Sequence, residues 1–203
     1  EHGRRYLAER HPDRTEVLAV SYLGSENEFG VAARSSARHP LRVVTCSAMV
    51  PVKRLDRMVR ALGLVEPGSV EWVHYGDGPL RAELSALADE VLSGRIDYSF
   101  AGALDHDDLM HELWRQGFHL FVNVSESEGL PVSIMEACSF GIPVVATDVG
   151  GSSEIVGSDN GMLIAADASP EVIAEAVRSF QALEDQVYLS YVTAARQTWE
   201  RKF

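Results

Sequence analysis

Short β-branched runs alternate with longer helix-periodic segments through most of this chain, and that alternation restricts the fold more than any single residue does. Strand-like runs occur at LRVVTCS (41–47), VEWVHYG (70–76), YSFAGAL (98–104), LFVNVS (120–125) and PVVATDV (143–149), with GMLIAA (161–166) as a shorter sixth. Between them LDRMVRALGLV (55–65), GPLRAELSALADEVLS (78–93), HDDLMHELWRQG (106–117) and PVSIMEACSFG (131–141) carry apolar residues at helical spacing. Strand, helix and strand in this order make right-handed crossovers between parallel neighbours. The expected fold class is therefore α/β, a Rossmann-like doubly wound parallel sheet with helices on both faces. Gly63, Gly117 and Gly141 follow apolar-periodic segments, where a left-handed C-terminal cap is expected, and Asp105 or Asp107 can cap the helix beside them.

The flanks leave this rhythm. Residues 1–23 read as a short charged helix and then a strand, TEVLAVSYL, with no helix after it. Residues 24–40 are rich in Ser, Gly, Ala and Arg, a linker composition. SPEVIAEAVRSFQALE and EDQVYLSYVTAARQTWERKF read as two closing helices. With 203 residues, 46% hydrophobic, the chain is long enough for one large domain with appendages. A net charge of −12 without a basic run argues against nucleic acid or an anionic lipid surface as a partner. Cys46 and Cys138 lie in apolar runs and read as inert core thiols in a reducing compartment. No apolar stretch approaches the roughly 20 residues of a transmembrane helix.

In an open parallel sheet the ligand sits outside the C-terminal strand ends, which directs attention to the loops at 47–54, 76–79, 102–105, 125–131 and 148–152. Gly129 permits close backbone approach, Pro131 suits a first helical turn, and the free N–H groups of that turn attract phosphate. On the following helix Ser133, Glu136 and Ser139 form one polar stripe among apolar residues. Periodicity leaves two readings open: a stripe facing water, or a carboxylate lining the cleft to accept hydrogen bonds from the vicinal hydroxyls of a ribose.

The string E-G-L-P-x-x-x-x-E-A, with Glu128 and Glu136 separated by seven residues, followed by GIPVVATDVGGSSEIV, resembles the signature of family-4 retaining glycosyltransferases of the GT-B fold. CSAMVPVKRLDRMVRAL, YGDGPLRAEL, FAGALDHDDLMHELWRQGFHLFVNVSESEGLP and DNGMLIAADASPEVIAEAV resemble successive segments of that family's donor domain, so the likeness runs in order over residues 41–180. The resemblance implies that Glu136 holds the ribose of a sugar nucleotide and that Glu128 lies beside the transferred sugar. It implies that Lys53 neutralises the leaving phosphate, and that the backbone at Gly129, Leu130 and Pro131 meets the diphosphate and sugar. Ala103 and Leu104 match the loop beside the base. Many members carry Gly-Arg in the first loop, where this chain has Ser47-Ala48; Ser47 is kept as a donor contact and Arg54 as the candidate replacement cation.

The same resemblance implies one half of a two-domain enzyme. Residues 1–23 read as a remnant of the N-terminal acceptor domain, 24–40 as the interdomain linker, 41–180 as the Rossmann-like donor-binding domain, and 181–203 as a C-terminal helix cut short. The expected activity is transfer of a sugar from a nucleoside-diphosphate sugar, UDP or GDP, to a glycan or lipid-linked acceptor held mainly by the domain the chain lacks. Neither a metal nor any other cofactor is expected. The expected compartment is the cytoplasm, with any membrane contact peripheral and made by the absent domain. A sugar-nucleotide epimerase half, or a non-catalytic nucleotide-binding or interaction module of the same fold, stays open. His74, His106, His111 and His119 are expected to serve packing, Asp77 to shape its turn, and Glu154 either to cap a short helix or to approach the cleft.

Overall fold

A computed structural model describes residues 2–35 and 38–203. Its elements run α1 (His2–Arg10), β1 (Leu41–Cys46), α2 (Leu55–Leu62), β2 (Val70–Tyr75), α3 (Arg81–Leu92), β3 (Asp97–Gly102), α4 (His106–Gln116) and β4 (Leu120–Asn123). They continue with α5 (Val132–Ser139), β5 (Val144–Thr147), α6 (Ser152–Ile155), β6 (Gly161–Ile164), α7 (Pro170–Gln181) and α8 (Asp185–Lys202). All six strands pair in parallel in the order β3-β2-β1-β4-β5-β6, with Val43 opposite Trp72 on one side and Leu120 on the other.

The continuous apolar strands follow from burial on both faces, and successive side chains alternate between two cores. Leu41, Val43, Leu120, Val122 and Val145 pack with Met58, Leu62, Leu92, Ile173, Val177 and Phe180 of α2, α3 and α7. Val44, Phe121, Val144 and Ala146 pack on the opposite face with Met110, Ile134, Cys138 and Ala195 of α4, α5 and α8. Each of the larger side chains contributes about 1.5–3 kcal/mol by leaving water. Trp72, the largest fully buried residue, donates its indole N–H to Thr45 Oγ1 at 3.0 Å. The Thr45 hydroxyl can then give its own proton to His74 Nδ1, 2.8 Å away. His74 is thereby fixed neutral in the core, and burial pushes its pKa down to about 4.

Gly117 (φ 61°) and Gly141 (φ 69°) are the expected left-handed caps; Gly63 is not. Its φ is −66°, and a Cβ there would lie 2.4 Å from Val91 Cγ1, so close packing of α2 on α3 explains the glycine. The strand expected at 15–23 is likewise absent. Residues Pro12–Val17 form a 3₁₀ turn, and no strand among the described residues pairs with the extended segment beyond it. A β-prone sequence without a neighbouring edge has nowhere to place its backbone hydrogen bonds.

Described residues of 24–40 form no regular element yet are fastened along their length. Asn27 Nδ2 donates to the Ser139 carbonyl (2.9 Å), Arg34 donates to the Phe140 and Gly141 carbonyls (2.6 and 2.5 Å), and the buried Arg38 pairs with Asp185 (3.1 Å). Arg196 of α8 also donates to the Ser139 carbonyl at 2.7 Å. Four donor groups thus meet the carbonyls at the C-terminal end of α5, the electronegative end of the helix.

Candidate functional site

The chain runs β1, β2, β3 outward in one direction and β4, β5, β6 in the other, so the topological switch point lies between β1 and β4. The loops leaving those two strands stand side by side there, the usual location of a ligand crevice. They are stitched together by backbone: Glu126 N donates to the Val52 carbonyl at 2.8 Å. Arg54 completes the seam. It is 9% exposed, takes a left-handed conformation (φ 48°), and donates to the carbonyls of Val124 (3.0 Å), Ser125 (3.0 Å) and Ala166 (2.5 Å). Arg54, expected as the replacement cation, is instead a buried strap between the β1, β4 and β6 loops. Its donors are taken by loop carbonyls, of which that of Ser125 also accepts from Thr147 Oγ1 at 2.6 Å.

Held in that seam, Lys53 Nζ lies 2.6 Å from Glu128 Oε1. Asn123 Nδ2 donates to the same oxygen at 3.1 Å, while its Oδ1 accepts from Ser125 N at 3.0 Å. Burial alone would raise the Glu128 pKa, but hydrogen bonds from Lys53, Ser125 and Asn123 outweigh it and hold the carboxyl below its ordinary range. Asn123 was visible in the sequence only as one of two polar residues inside LFVNVS.

The β5 loop closes over this loop from the other side. Gly151 N donates to the Gly129 carbonyl at 2.7 Å. At Gly150 (φ 54°) a Cβ would sit 1.8 Å from the Glu128 carbonyl oxygen, so only glycine permits the contact. A Cβ on Gly129 itself would point into open space. Leu130 is half-buried, and Pro131 occupies the cap position just before α5 rather than its first turn. A cavity of about 370 Å³ lies beside Glu128, Gly129 and Leu130, bounded opposite by Leu7 of α1 and residues 18–22, and also lined by Glu154 of α6.

Glu136 occupies the middle of α5 and does not face water: its side chain is 7% exposed, and Ser139 is fully buried. Burial raises its pKa, opposed by His106, whose Nδ1 lies 3.3 Å from Oε1. The Cys46 thiol at the end of β1 is pushed up to about 12, first by burial, then by Glu136, with Lys53 opposing. Cys46 thus feels the charges of both Glu136 and Lys53. The loop after β3 carries the exposed Ala103 and Leu104, separated from His106 by Asp105. Ser47 N donates to the Tyr75 carbonyl (3.0 Å), and Ser47 is half-buried just beyond the end of β1.

Of the residues singled out from sequence, Lys53, Glu128, Gly129 and Leu130 come together at the switch point. Arg54 is withdrawn into the seam, and Glu136 shares its surroundings with His106. Asp77 shapes its turn by accepting from Gly78 N (2.7 Å), His111 stands against Phe29 and Trp114, and His74 and His119 are buried. His106, expected only to pack, is the exception. Among the described residues no group of three His, Cys, Asp or Glu side chains is placed to hold a metal, and no helix is long and apolar enough to cross a membrane.

Comparison with known proteins agrees with this architecture. The family model described as "Glycosyl transferases group 1" matches residues 40–182. The amylovoran biosynthesis glycosyltransferase AmsK of Erwinia amylovora is 26% identical over 196 residues, covering 93% of this chain and 47% of that protein. The lipopolysaccharide core biosynthesis mannosyltransferase LpcC of Rhizobium leguminosarum is 30% identical over 171 residues, covering 80% and 47%. The chain therefore spans about half the length of these curated relatives. Among solved structures, Anabaena HepE in complex with UDP and glucose superposes with a TM-score of 0.75 at 22% identity, over 94% of this chain and 54% of that one, a likeness of fold. With the model spanning the whole sheet and the crevice at its switch point, this chain belongs to the group 1 glycosyltransferases.

Proposed function

We propose that the chain is the donor-binding half of a retaining glycosyltransferase, which moves a sugar from a nucleoside-diphosphate sugar to a glycan or lipid-linked acceptor. The observation that carries this reading is the Lys53–Glu128 pair, fixed at 2.6 Å in the seam of the switch point, next to a glycine whose backbone faces open space. In the transfer, the bond from the anomeric carbon to the diphosphate breaks and its electron pair leaves with the phosphate, while a bond to an acceptor hydroxyl forms. Lys53 and the amides of Gly129 and Leu130 stabilise the charge on the departing diphosphate, a contribution of several kcal/mol when the donors are held in advance. Glu128, kept ionised, accepts from the sugar hydroxyls, and Glu136 grips the ribose. The base rests near Ala103 and Leu104, with Ser47 below the diphosphate. The acceptor side belongs to a domain outside this chain, so the chain alone binds donor and transfers little.

UDP is the first nucleotide to test, because HepE is held with UDP in its structure, and GDP is the second. Thermal unfolding of the chain against UDP, GDP, ADP, dTDP and CMP, repeated with Glu136→Ala, tests the reading. One nucleotide at about 100 times its Kd should stabilise the wild type by about 2.7 kcal/mol, which moves Tm by roughly 5–10 °C, and the variant should lose most of this. Equal behaviour of all five nucleotides, or an unchanged Glu136→Ala variant, refutes it.

A further inference from the structure

Glu128 and Glu136 are held in opposite ways. Glu128 has Lys53, Asn123 and Ser125 as donors. Glu136 is more deeply placed, and among the described residues its carboxylate has one partner within hydrogen-bonding distance, His106. An ionised carboxylate offers about four acceptor sites, and burying it with most of them unmet is costly. Nothing nearby repairs this. The cavity of about 380 Å³ on the other side of His106, which Glu136 does not line, is walled by Glu26, Glu28, Phe29, Asp107 and Met110 and offers no side-chain donor when its carboxylates are ionised. On the β1 side stands the Cys46 thiol, a weak donor. Among the described residues the Glu136 carboxylate thus has no partner besides His106, and a diol supplies two donors.

His106 also belongs to a particular element. It is the first residue of α4, it directly follows the 103–105 loop, and its side chain is 57% exposed while Glu136 is 7% exposed. Its Nδ1 reaches from that loop onto the buried oxygen. We infer that His106 is a positioning residue for the nucleoside: it holds the Glu136 carboxylate in the orientation that accepts both ribose hydroxyls, and it ties that carboxylate to the loop beside the base. The inference rests on the donor-domain reading and adds a residue to it, one that touches the grip rather than the reacting atoms.

Calorimetric titration of the full chain at pH 8 tests it, with UDP, or GDP if the wild type prefers it, and with the corresponding 2′,3′-dideoxynucleoside diphosphate. His106→Ala should weaken the ribonucleotide about five- to tenfold, the effect expected when one orienting polar contact is lost. His106→Asn, whose amide N–H reaches similarly far, should return to within about twofold of wild type. Binding of the dideoxy compound should be the same in wild type and His106→Ala, and His106→Ala in a Glu136→Ala background should have no further effect. If His106→Ala binds the ribonucleotide as wild type does, or loses both compounds by the same factor, His106 does not position the grip. If the wild type binds none of the nucleoside diphosphates at millimolar concentration, the donor-domain reading falls and takes this inference with it.

Discussion

Lowering the pH from 7.5 to 4.5 should remove about 5 kcal/mol of folding stability through two histidines that the fold keeps neutral. His119 shows why. Arg42 N donates to its Nδ1 at 3.0 Å, so that nitrogen must be unprotonated, and Nε2 contacts the Ser35 carbonyl at 3.1 Å. Burial, with Arg34, Arg42 and Arg38 nearby, lowers its pKa from 6.5 to about 4, and burial does the same to His74. Both folded values lie below the unfolded value, so the native state binds fewer protons and stability falls as the solution acidifies below about pH 6.5. Each site contributes about 2.5 kcal/mol by pH 4.5 and levels off near ~3.4 kcal/mol below pH 4. Glu128, held below its ordinary range, adds a loss at still lower pH, whereas Glu136, raised by burial, returns a part. Urea unfolding followed by tryptophan fluorescence at the two pH values measures the total. His119→Gln keeps an acceptor and a donor but cannot titrate, and should flatten the pH dependence by about 2.5 kcal/mol. A wild type that loses less than about 1 kcal/mol, or a His119→Gln chain with the full wild-type slope, would refute the reasoning.

Lys53→Ala should weaken nucleoside diphosphate binding about 10- to 100-fold in calorimetric titration, since a charge-assisted contact to phosphate is lost. Gly150→Ala should destabilise the fold by more than about 2 kcal/mol in denaturant unfolding, because its Cβ meets the Glu128 carbonyl and its φ is 54°. Arg54→Leu should cost about 2–4 kcal/mol in the same assay, because the Val124 and Ala166 carbonyls lose their donor while Ser125 keeps the Thr147 hydroxyl. If Arg54→Leu is instead as stable as wild type and loses only nucleotide, Arg54 is a phosphate ligand after all.

The central strands were legible because a doubly buried parallel strand writes a mostly apolar run, as VVAT at 144–147 does, whereas the edge strand β3, half-exposed along its length, was legible from its aromatic and β-prone residues. The switch point followed from strand order, which the sequence implies but does not state. Residues 15–23 misled because β-branching reports a preference for extended backbone and says nothing about whether an edge is available to pair with. Gly63 misled because close packing and a left-handed cap both select glycine. Arg54 was legible as a cation; its burial was not, since only the folded loops show where unpaired carbonyls collect. His106 had no signal at all, because its partner lies thirty residues away across two helices. Glu136 shows the limit most directly: a stripe at spacing three fits a wet surface and a lined cleft equally well, and its burial excludes the wet surface.

The fastening of α5 at its C-terminal end has a mechanical consequence. Asn27, Arg34 and Arg196 seize the helix by its butt, and two of them come from the segment that precedes the sheet in the chain. The helix is thus a short lever, pivoted far from the crevice. At 1.5 Å per residue its first turn stands roughly 10 Å from the pivot and Glu136 about half as far. A tilt of about 5° imposed through residues 24–35 moves the amides near Pro131 by nearly ~1 Å and Glu136 by about half that, enough to tighten or release a hydrogen bond at one end while the other stays engaged.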